Sequence, residues 1–254
     1  MPICWKMPVQ IALSTRNKEE IMEKLGIIGA MDIEVAALKE KMENMTVRTI
    51  AGSVYCEGKL EGMDVVVVQC GVGKVNAALC AQILCSNFGV NYIINTGIAG
   101  SLNAKLDIGD FVISTDAVHH DMDATNFGYP MCQVPGLCVL SFPADEKLAA
   151  LAYSVADSIH PGHVHRGRVA TGDQFVADKQ LKEKIIRNTG ALCTEMEGAA
   201  IAHTAWKNDV PFVVIRAISD KADDSAQMDY PTFEAQAAQR CAQVTLALAG
   251  ALRD

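Results

Sequence analysis

Five carboxylic acids stand where apolar segments of the sequence end, at Glu34, Asp173, Glu195, Glu197 and Asp220. A single acid at such a place usually caps a helix or faces solvent, but several that converge on one crevice are harder to explain in that way. Paired carboxylates can hydrolyse a glycosidic bond, because one activates water while the other, its pKa raised by burial, protonates the leaving group. Glycosidic hydrolysis is therefore a candidate chemistry for this chain.

Other motifs that often carry chemistry are incomplete. The segment GVGK (71–74) has Val68 where a phosphate-binding loop needs glycine and Val75 where it needs Ser or Thr. GIIGAM (26–31) lacks the spacing of a dinucleotide fingerprint. Both segments are interpreted as tight strand-to-helix turns, in which small residues also allow a ligand to lie against the backbone. No GxSxG motif occurs, and no cysteine has an identifiable activating histidine, so nucleophilic catalysis is poorly supported.

Two histidine groups invite a metal-binding interpretation. His160, His163 and His165 fall in a connection before a predicted strand, with no cysteine or carboxylate nearby in the sequence to complete a ligand set. His119 and His120 form a similar group. We interpret both as surface loops, and we expect neither a metal nor a cofactor.

Composition excludes several classes of protein. The 254 residues are 50% hydrophobic, and 30 acids against 22 bases give a net charge of −8. An acidic chain without a basic block is a poor partner for nucleic acid or an anionic membrane. No apolar run reaches the roughly 18 residues of a transmembrane helix. The nine cysteines are odd in number and include no CxxC, which is typical of reduced, buried thiols in a cytoplasmic protein.

Strand and helix patterns alternate from Leu25 onward, which predicts a single α/β domain over residues 25–254. Its central sheet is expected to be mixed and mainly parallel, flanked by helices on both faces, with an antiparallel part near residues 46–71. The last helix is predicted over 231–254, with Pro231 near its first turn. Residues 1–24 have no sustained periodicity and are predicted to be a poorly ordered extension. Ligands of such sheets bind beyond the carboxyl ends of the strands, where the five acids lie.

Six segments in these places occur in one order along the chain: GIIGAMDIEV (26–35), CGVGKVNAA (70–78), IINTGIAG (93–100), GDQFV (172–176), TEMEGAAIAH (194–203) and PFVVIRAISDKAD (211–223). Together they resemble one known family, the 5′-methylthioadenosine/S-adenosylhomocysteine nucleosidases of the nucleoside phosphorylase superfamily. The resemblance runs from about Leu25 to the end of the chain and implies a nucleoside phosphorylase-like fold. The EME triplet with its following helix and the RAISD strand end are the specific parts.

The resemblance implies hydrolysis of the bond between adenine and ribose, releasing adenine and a 5-thio-ribose. Glu34 matches the acid that activates the water, and Asp220 matches the acid that protonates adenine N7, with Ser219 beside it. Glu197 matches the acceptor of the ribose hydroxyls, and Glu195 is counted with the substrate-binding residues. A free Asp has a pKa near 3.9, so Asp220 can serve as an acid only if burial raises its pKa.

The resemblance also assigns the walls of the site. Met196 matches the side chain packed on the ribose, Phe175 the ring stacked on adenine, and Val176 the position whose backbone reads the edge of the base. The remaining matches are Met31 and Tyr230 around the thioether, Arg216 near the water, and Ile98 at a place where relatives commonly have Ser. Family members are homodimers, and Phe127 and Pro135 match the segment that the partner subunit lends to the 5′ pocket.

Three alternatives stay open at this point. A purine nucleoside phosphorylase would bind phosphate, which Asp32 and Glu34 at the first strand end would repel. A nucleosidase for AMP is disfavoured because no Arg or Lys cluster adjoins the 5′ wall, whereas a futalosine-type nucleoside remains open. A non-catalytic nucleoside-binding protein would keep Phe175 and Glu197 but has no need for both Glu34 and Asp220.

Overall fold

Strands and helices alternate through the computed structural model, which describes residues 23–223 and 225–253. A π-helical turn, Leu84–Phe88, extends the second helix, and a single 3-10 turn spans Thr125–Phe127. The strands are β1 (Lys24–Gly29), β2 (Glu43–Ile50), β3 (Ser53–Leu60), β4 (Met63–Gln69), β5 (Tyr92–Ser101), β6 (Phe111–His119), β7 (Phe142–Pro143), β8 (Val164–Thr171), β9 (Cys193–Glu195) and β10 (Phe212–Asp220). The helices are α1 (Asp32–Glu40), α2 (Lys74–Ile83), α3 (Glu146–Ile159), α4 (Lys179–Thr189), α5 (Gly198–Lys207) and α6 (Ala226–Ala251).

The strands form one mixed sheet. β4, β1, β5 and β10 lie side by side in parallel, and β3 and β2 continue the sheet beyond β4 in antiparallel fashion. The antiparallel part predicted near residues 46–71 is therefore confirmed. The long strand β5 also pairs with β9, while β6 and β8 connect β10 to β9. As a result, β5 joins an open sheet to a closed circuit of five strands, β5, β10, β6, β8 and β9.

Apolar residues cover both faces of this sheet. Val65–Val68 in β4 are fully buried, as expected for a central strand covered on both sides. Helices α2 and α5 contribute to the core on one face, and α1, α3 and α6 contribute to the core on the other. The predicted α/β architecture, a mixed sheet flanked by helices on both faces, is confirmed.

The last helix begins earlier than predicted. α6 starts at Ala226, so Pro231 is its sixth residue and does not lie in the first turn. Ser225 precedes the helix, and its backbone N–H and its hydroxyl donate to Asp223 Oδ1 at 3.1 and 2.9 Å. This polar turn starts the helix ahead of the proline, whose missing N–H favours a later start when sequence alone is considered. No helix among the described residues is long and apolar enough to cross a membrane.

The extension predicted for residues 1–24 lies outside the described residues apart from its last two. Lys24 already belongs to β1, and its ammonium forms an ion pair with Glu57 at 2.6 Å. The first strand therefore begins one residue before the predicted boundary at Leu25.

Most of the described cysteines agree with the prediction of reduced, buried thiols. The free cysteines are 56, 70, 80, 85, 132, 193 and 241, and all but the partly buried Cys85 are buried. Cys138 differs from the predicted burial, because it is exposed in the poorly periodic connection between β6 and β7.

Candidate active site

A cavity of about 360 Å³ opens at the carboxyl ends of the central strands. This is the place that the strand-end rule predicts for a ligand in an α/β sheet. It is enclosed by the segments that follow β1, β4 and β8, by the first turn of α1, by β9 and the two residues after it, by the ends of β5 and β10, and by one residue of α6. The lining residues are Ala30, Met31, Glu34, Val72, Ile98, Ala99, Gly100, Gln174, Phe175, Val176, Thr194, Glu195, Met196, Glu197, Ser219, Asp220 and Tyr230.

The structure brings most of the predicted site residues together around this cavity. Arg216 is an exception, because it lies beneath the lining with only 1% of its surface exposed. Asp173 is not part of the lining and instead bonds to the start of α2. Phe127 and Pro135 are exposed and lie outside the lining of their own chain. Six lining residues were not predicted as site residues, although each lies within one of the segments that carry the family resemblance: Ala30, Val72, Ala99, Gly100, Gln174 and Thr194.

Glu34 is held by the start of α1. Its Oε2 accepts hydrogen bonds from the backbone N–H groups of Ala30 (2.6 Å) and Met31 (3.0 Å), and its Oε1 accepts one from Ile98 N–H (3.1 Å). Met31 is the N-cap residue of α1, so Glu34 occupies the third helical position, whose side chain can turn back toward the cap. Burial raises the pKa of Glu34, although Arg216 and the three N–H donors oppose the shift. The result is a buried, rigidly oriented carboxyl group.

Ile98 serves this arrangement through its backbone. The amide that donates to Glu34 is independent of the side chain, which packs among buried apolar residues. The contact to Glu34 therefore does not depend on which side chain stands at position 98.

Arg216 lies beneath the cavity lining, where its positive charge compensates several nearby acids. Its Nη2 donates to Glu195 Oε2 and, at 2.6 Å, to Asn95 Oδ1, and it lies 3.8 Å from Glu197 Oε2. Burial works against a charged guanidinium, but the nearby Glu195, Glu197 and Glu34 raise the pKa of Arg216, so it stays cationic.

Glu195 and Glu197 have different surroundings. Glu195 accepts from Arg216, Thr171 and the N–H groups that begin α5, so protein donors already occupy both of its oxygens. Glu197 accepts one short hydrogen bond, from Gly73 N–H at 2.9 Å. Burial raises the pKa of Glu197, and the charge of Glu195 raises it further. Glu197 therefore has hydrogen-bonding capacity left for a ligand, whereas Glu195 acts as a support.

Asp220 stands at an irregularity in β10. The register with β5 shifts between Ile218 and Asp220, a bulge of the kind that redirects side chains next to binding sites. Its Oδ1 accepts from Ala222 N–H (2.8 Å), and Ser219 Oγ donates to its Oδ2 (2.9 Å). Burial raises the pKa of Asp220, and the carboxylates of Asp229 and Asp223 add to the shift. The direction of this shift is the one that the predicted role of Asp220 requires, although the hydrogen bonds from Ala222 and Ser219 oppose it.

Aromatic and thioether side chains form the more open wall of the cavity. Phe175 is 50% exposed, and its ring meets that of Tyr230 edge-on at 5.4 Å. The Tyr230 hydroxyl lies 3.4 Å from Met31 Sδ and 3.1 Å from Glu234 Oε1. An apolar surface of this shape suits a flat ring and a thioether better than a charged group.

The described lining contains acidic side chains but no basic ones. Glu34, Glu195, Glu197 and Asp220 contribute carboxyl groups, while no described lining residue is Lys, Arg or His. A dianion such as phosphate would meet repulsion here, and the buried Arg216 is already paired.

One histidine group differs from its predicted surface loop, whereas His160 and the exposed His163 of the other group lie in the predicted connection before β8. His119 and His120 are buried at the end of β6, and burial lowers the pKa of His119 to about 4. His163 Nδ1 and His165 Nε2 lie 2.8 and 3.3 Å from the oxygens of Asp110, which β6 brings beside β8. The sequence does not indicate that Asp110 is a partner of these histidines, because it precedes His163 by 53 residues. No group of three or more His, Cys, Asp or Glu in the described ranges is arranged to hold a metal ion.

Comparison with known proteins agrees with this geometry. The model of the family described as "Phosphorylase superfamily" matches residues 24–250. A 5′-methylthioadenosine/S-adenosylhomocysteine nucleosidase of Bacillus subtilis is 40% identical over 224 residues, 88% of this chain and 96% of that protein.

Solved structures extend the comparison. The nucleosidase of the same name from Colwellia psychrerythraea, in complex with adenine, has a TM-score of 0.86 and 38% identity, covering 90% of this chain and 95% of that one. A futalosine hydrolase of Helicobacter pylori has a TM-score of 0.85 and 33% identity, covering 89% and 97%. The resemblance stated from the motifs is confirmed: the chain belongs to the phosphorylase superfamily and, within it, to the family of 5′-methylthioadenosine/S-adenosylhomocysteine nucleosidases.

Proposed function

We propose that this chain hydrolyses the N-glycosidic bond between adenine and ribose in 5′-methylthioadenosine and S-adenosylhomocysteine, releasing adenine and the 5-thio-ribose. The observation that carries the proposal is that Glu34 and Asp220, both buried and held in different ways, line the same cavity. Paired acids across a bond to an anomeric carbon are the equipment for its hydrolysis.

Glu34 is the general base of the proposed reaction. Its carboxylate takes a proton from a water molecule as the water oxygen forms a bond to C1′ of the ribose. The ribose acquires oxocarbenium character in the transition state, and nearby carboxylates stabilise the positive charge. The charge of Arg216 and three N–H donors favour ionised Glu34, which supports this role. The raised pKa makes it a stronger base than an ordinary Glu.

Asp220 is the general acid. Its proton passes to adenine N7 as the bond from C1′ to N9 breaks, so that the base leaves as neutral adenine. Burial favours the neutral acid, which supports a protonated Asp220 in the free enzyme. Ser219 donates to the same carboxyl group and orients it. General acid catalysis of this kind contributes on the order of 10²–10⁴-fold to the rate.

The remaining lining residues bind the nucleoside in this proposal. Phe175 stacks on adenine, the backbone of Val176 reads the edge of the base, and Met196 packs on the ribose while Glu197 accepts its hydroxyls. Met31 and Tyr230 surround the 5′ thioether. Glu195 and Arg216 act from below by supporting Glu197 and Glu34, and Ile98 acts through its amide.

The chemistry of the cavity favours water over phosphate as the nucleophile. A phosphorylase would need cationic groups for phosphate, and the described lining offers carboxyl groups instead. A futalosine-type nucleoside is the second candidate substrate, because the Helicobacter pylori futalosine hydrolase has the same fold at 33% identity. The Bacillus subtilis and Colwellia psychrerythraea nucleosidases are more similar to this chain, at 40% and 38% identity, which favours the thio-nucleosides.

We also propose that the chain functions as a homodimer in which the partner lends Phe127 and Pro135 to the 5′ pocket. Phe127 is 84% exposed in one chain, an unusual state for so large an apolar side chain. Val72 lines the cavity and is half exposed, and Val75 and Leu79 continue an apolar stripe along α2. A second copy seated on this stripe would cover it and close the open side of the cavity.

The test measures release of the free base, adenine or hypoxanthine, from methylthioadenosine, S-adenosylhomocysteine, a futalosine-type nucleoside and inosine, with and without phosphate. We expect release from the two thio-nucleosides at a rate that phosphate does not change. Glu34→Gln and Asp220→Asn should each lower turnover by at least about a hundredfold while the nucleoside still binds.

Matched controls are Glu40→Gln, on the exposed side of the same helix, and Asp209→Asn, in an exposed turn. Both controls should keep wild-type activity. Release at the wild-type rate in either active-site variant would refute the assigned roles, and strict dependence on phosphate would refute hydrolysis.

A further inference from the structure

Three charged side chains next to the cavity form a closed ring of contacts that the proposed mechanism does not use. Lys74 Nζ donates to both oxygens of Asp121, at 2.7 and 2.8 Å. Asp121 Oδ2 accepts from the backbone N–H of Asp173 at 3.0 Å, and Asp173 Oδ1 accepts from the backbone N–H of Lys74 at 2.8 Å. We call Lys74, Asp121 and Asp173 the clamp.

The clamp joins three segments that are distant in the sequence. Lys74 begins α2, Asp121 follows β6, and Asp173 follows β8. Asp121 is 47 residues from Lys74, and Asp173 is 99 residues from it. Because the charged groups are only about one fifth exposed, water screens this ion pair less than it screens a pair on the open surface.

Both ends of the clamp adjoin substrate-binding groups. Asp173 is two residues before Phe175 and three before Val176, which form the proposed base wall. Lys74 follows Gly73, whose N–H donates to the proposed ribose acceptor Glu197 at 2.9 Å. Displacement of either segment would therefore move a group that contacts the nucleoside.

The sequence at the start of α2 departs from the residue preferences of a helix N-terminus, and such departures are expected at functional sites. A basic residue in the first turn of a helix is unfavourable with the helix dipole, and α2 has neither an acid there nor a side-chain cap of its own. Asp173 supplies the cap from the neighbouring loop. Gly73 has φ +98°, and a Cβ at this position would lie 3.1 Å from Asp173 Oδ1, so glycine permits the close approach.

We propose that Lys74 is a positioning residue that, through Asp121 and Asp173, holds the base-stacking loop (172–176) and the Gly73 amide in place for the adenine nucleoside. This inference rests on the proposed function. The clamp fixes the loop before the substrate arrives, so the binding step does not have to order it. Its loss should weaken the binding of adenine itself, which needs the stacking loop but neither Glu34 nor the 5′ pocket.

The experiment compares Lys74→Met, which removes the charge at similar length, with Lys74→Arg, which can still pair with both oxygens of Asp121. The matched control is Lys59→Met, because Lys59 forms an ion pair of similar length with Asp64 (2.8 Å, against 2.7 Å for Lys74 and Asp121) away from the cavity. Calorimetry measures the Kd of adenine, and adenine release measures KM and kcat for methylthioadenosine. Thermal unfolding reports stability in parallel.

We expect Lys74→Met to raise the Kd of adenine and the KM of methylthioadenosine by about tenfold, with a smaller change in kcat. Lys74→Arg should stay within about threefold of the wild type, and Lys59→Met should leave adenine binding unchanged. A folded Lys74→Met variant with wild-type adenine affinity, even if its Tm falls, would overturn the proposal.

Asp121→Asn provides a second route if Lys74→Met does not fold. It removes the charge of the pair but keeps an acceptor for Asp173 N–H. Faster amide hydrogen exchange over residues 172–176 together with weaker adenine binding would support the clamp, and unchanged values would overturn it. Wild-type protein that releases no adenine would contradict the proposed function, whereas an active wild type with unaltered variants would contradict the clamp alone.

Discussion

The acids of the site are distinguished by the donors around them. Glu34 accepts hydrogen bonds from three backbone N–H groups and interacts with the positive charge of Arg216. Asp220 accepts one hydrogen bond from a backbone N–H and one from a hydroxyl, and it interacts with the negative charge of nearby acids. Donors and positive charge favour the ionised form of a carboxyl group, while burial and negative charge favour the neutral form. Two acids of similar intrinsic strength can therefore serve as base and acid in one cavity.

The same electrostatics predict a cost in stability at Asp220. Because burial raises its pKa in the folded state above 3.8, the stability that the protonated acid provides is present below that pH and is lost as pH rises through the folded-state pKa. Asn does not titrate, so we expect the free energy of unfolding of Asp220→Asn to exceed that of the wild type by on the order of 1 kcal/mol at about pH 8.

Urea unfolding near pH 4 and pH 8 measures this difference, which should be larger at the higher pH. A variant no more stable than the wild type at the higher pH would show that ionised Asp220 carries no such cost.

At the scale of elements, the pairing of β5 with β10 builds the floor of the site. Gly97 in β5 is the register partner of Arg216 in β10, and Gly100 is the partner of Asp220. A Cβ on Gly97 would overlap both Arg216 Nη1 and Glu34 Oε1. The absent side chain thus leaves the space in which the guanidinium and the carboxylate lie close together.

We expect Gly97→Ala to lower kcat by at least about tenfold, because a displacement of Glu34 by an ångström or less disturbs its alignment with water. Assays of adenine release measure the effect. Gly250→Ala is the control, since its added Cβ would lie 3.3 Å from the side chain of Glu61 in an ordinary helical position. Wild-type turnover in Gly97→Ala would mean that the tight packing over Gly97 does not position Glu34.

At the scale of the whole molecule, the apolar stripe on α2 bears on assembly. Val72, Val75 and Leu79 are 50%, 79% and 44% exposed and follow helical spacing. Exposed apolar side chains next to the ligand cavity do not stabilise a single chain, whereas an interface between two copies would bury them.

We expect Val75→Glu to convert a dimer to a monomer, because two buried carboxylates would oppose association, and to raise the KM for methylthioadenosine as the partner's Phe127 is withdrawn. Sedimentation equilibrium and adenine release measure the two effects. Val47→Glu, at the far edge of the sheet on an exposed strand, should leave both unchanged. A wild-type chain that sediments as a monomer at working concentration would contradict the proposed dimer.

Local patterns were sufficient for most of the architecture. The alternation of strand and helix patterns predicts the mixed sheet with helices on both faces, and the small residues at the ends of β1 and β4 predict turns beside a ligand. The sequence patterns gave wrong predictions where contacts with other residues override a local preference. Pro231 indicates a helix start, yet the polar turn at Ser225 begins α6 earlier, and His119 is buried because β6 extends through it.

The sequence by itself determined which acids and apolar side chains stand at strand ends, because strand and helix periodicity is a property of neighbouring residues. Only the tertiary structure decided that Arg216 lies beneath Glu34 and Glu195, that Asp173 caps a helix 99 residues away, and that Gly97 leaves room for two charged groups. Those contacts depend on which strands pair and in what register. Pairing at this distance is set by closure of the five-strand circuit around β5, which no local spacing of residues encodes.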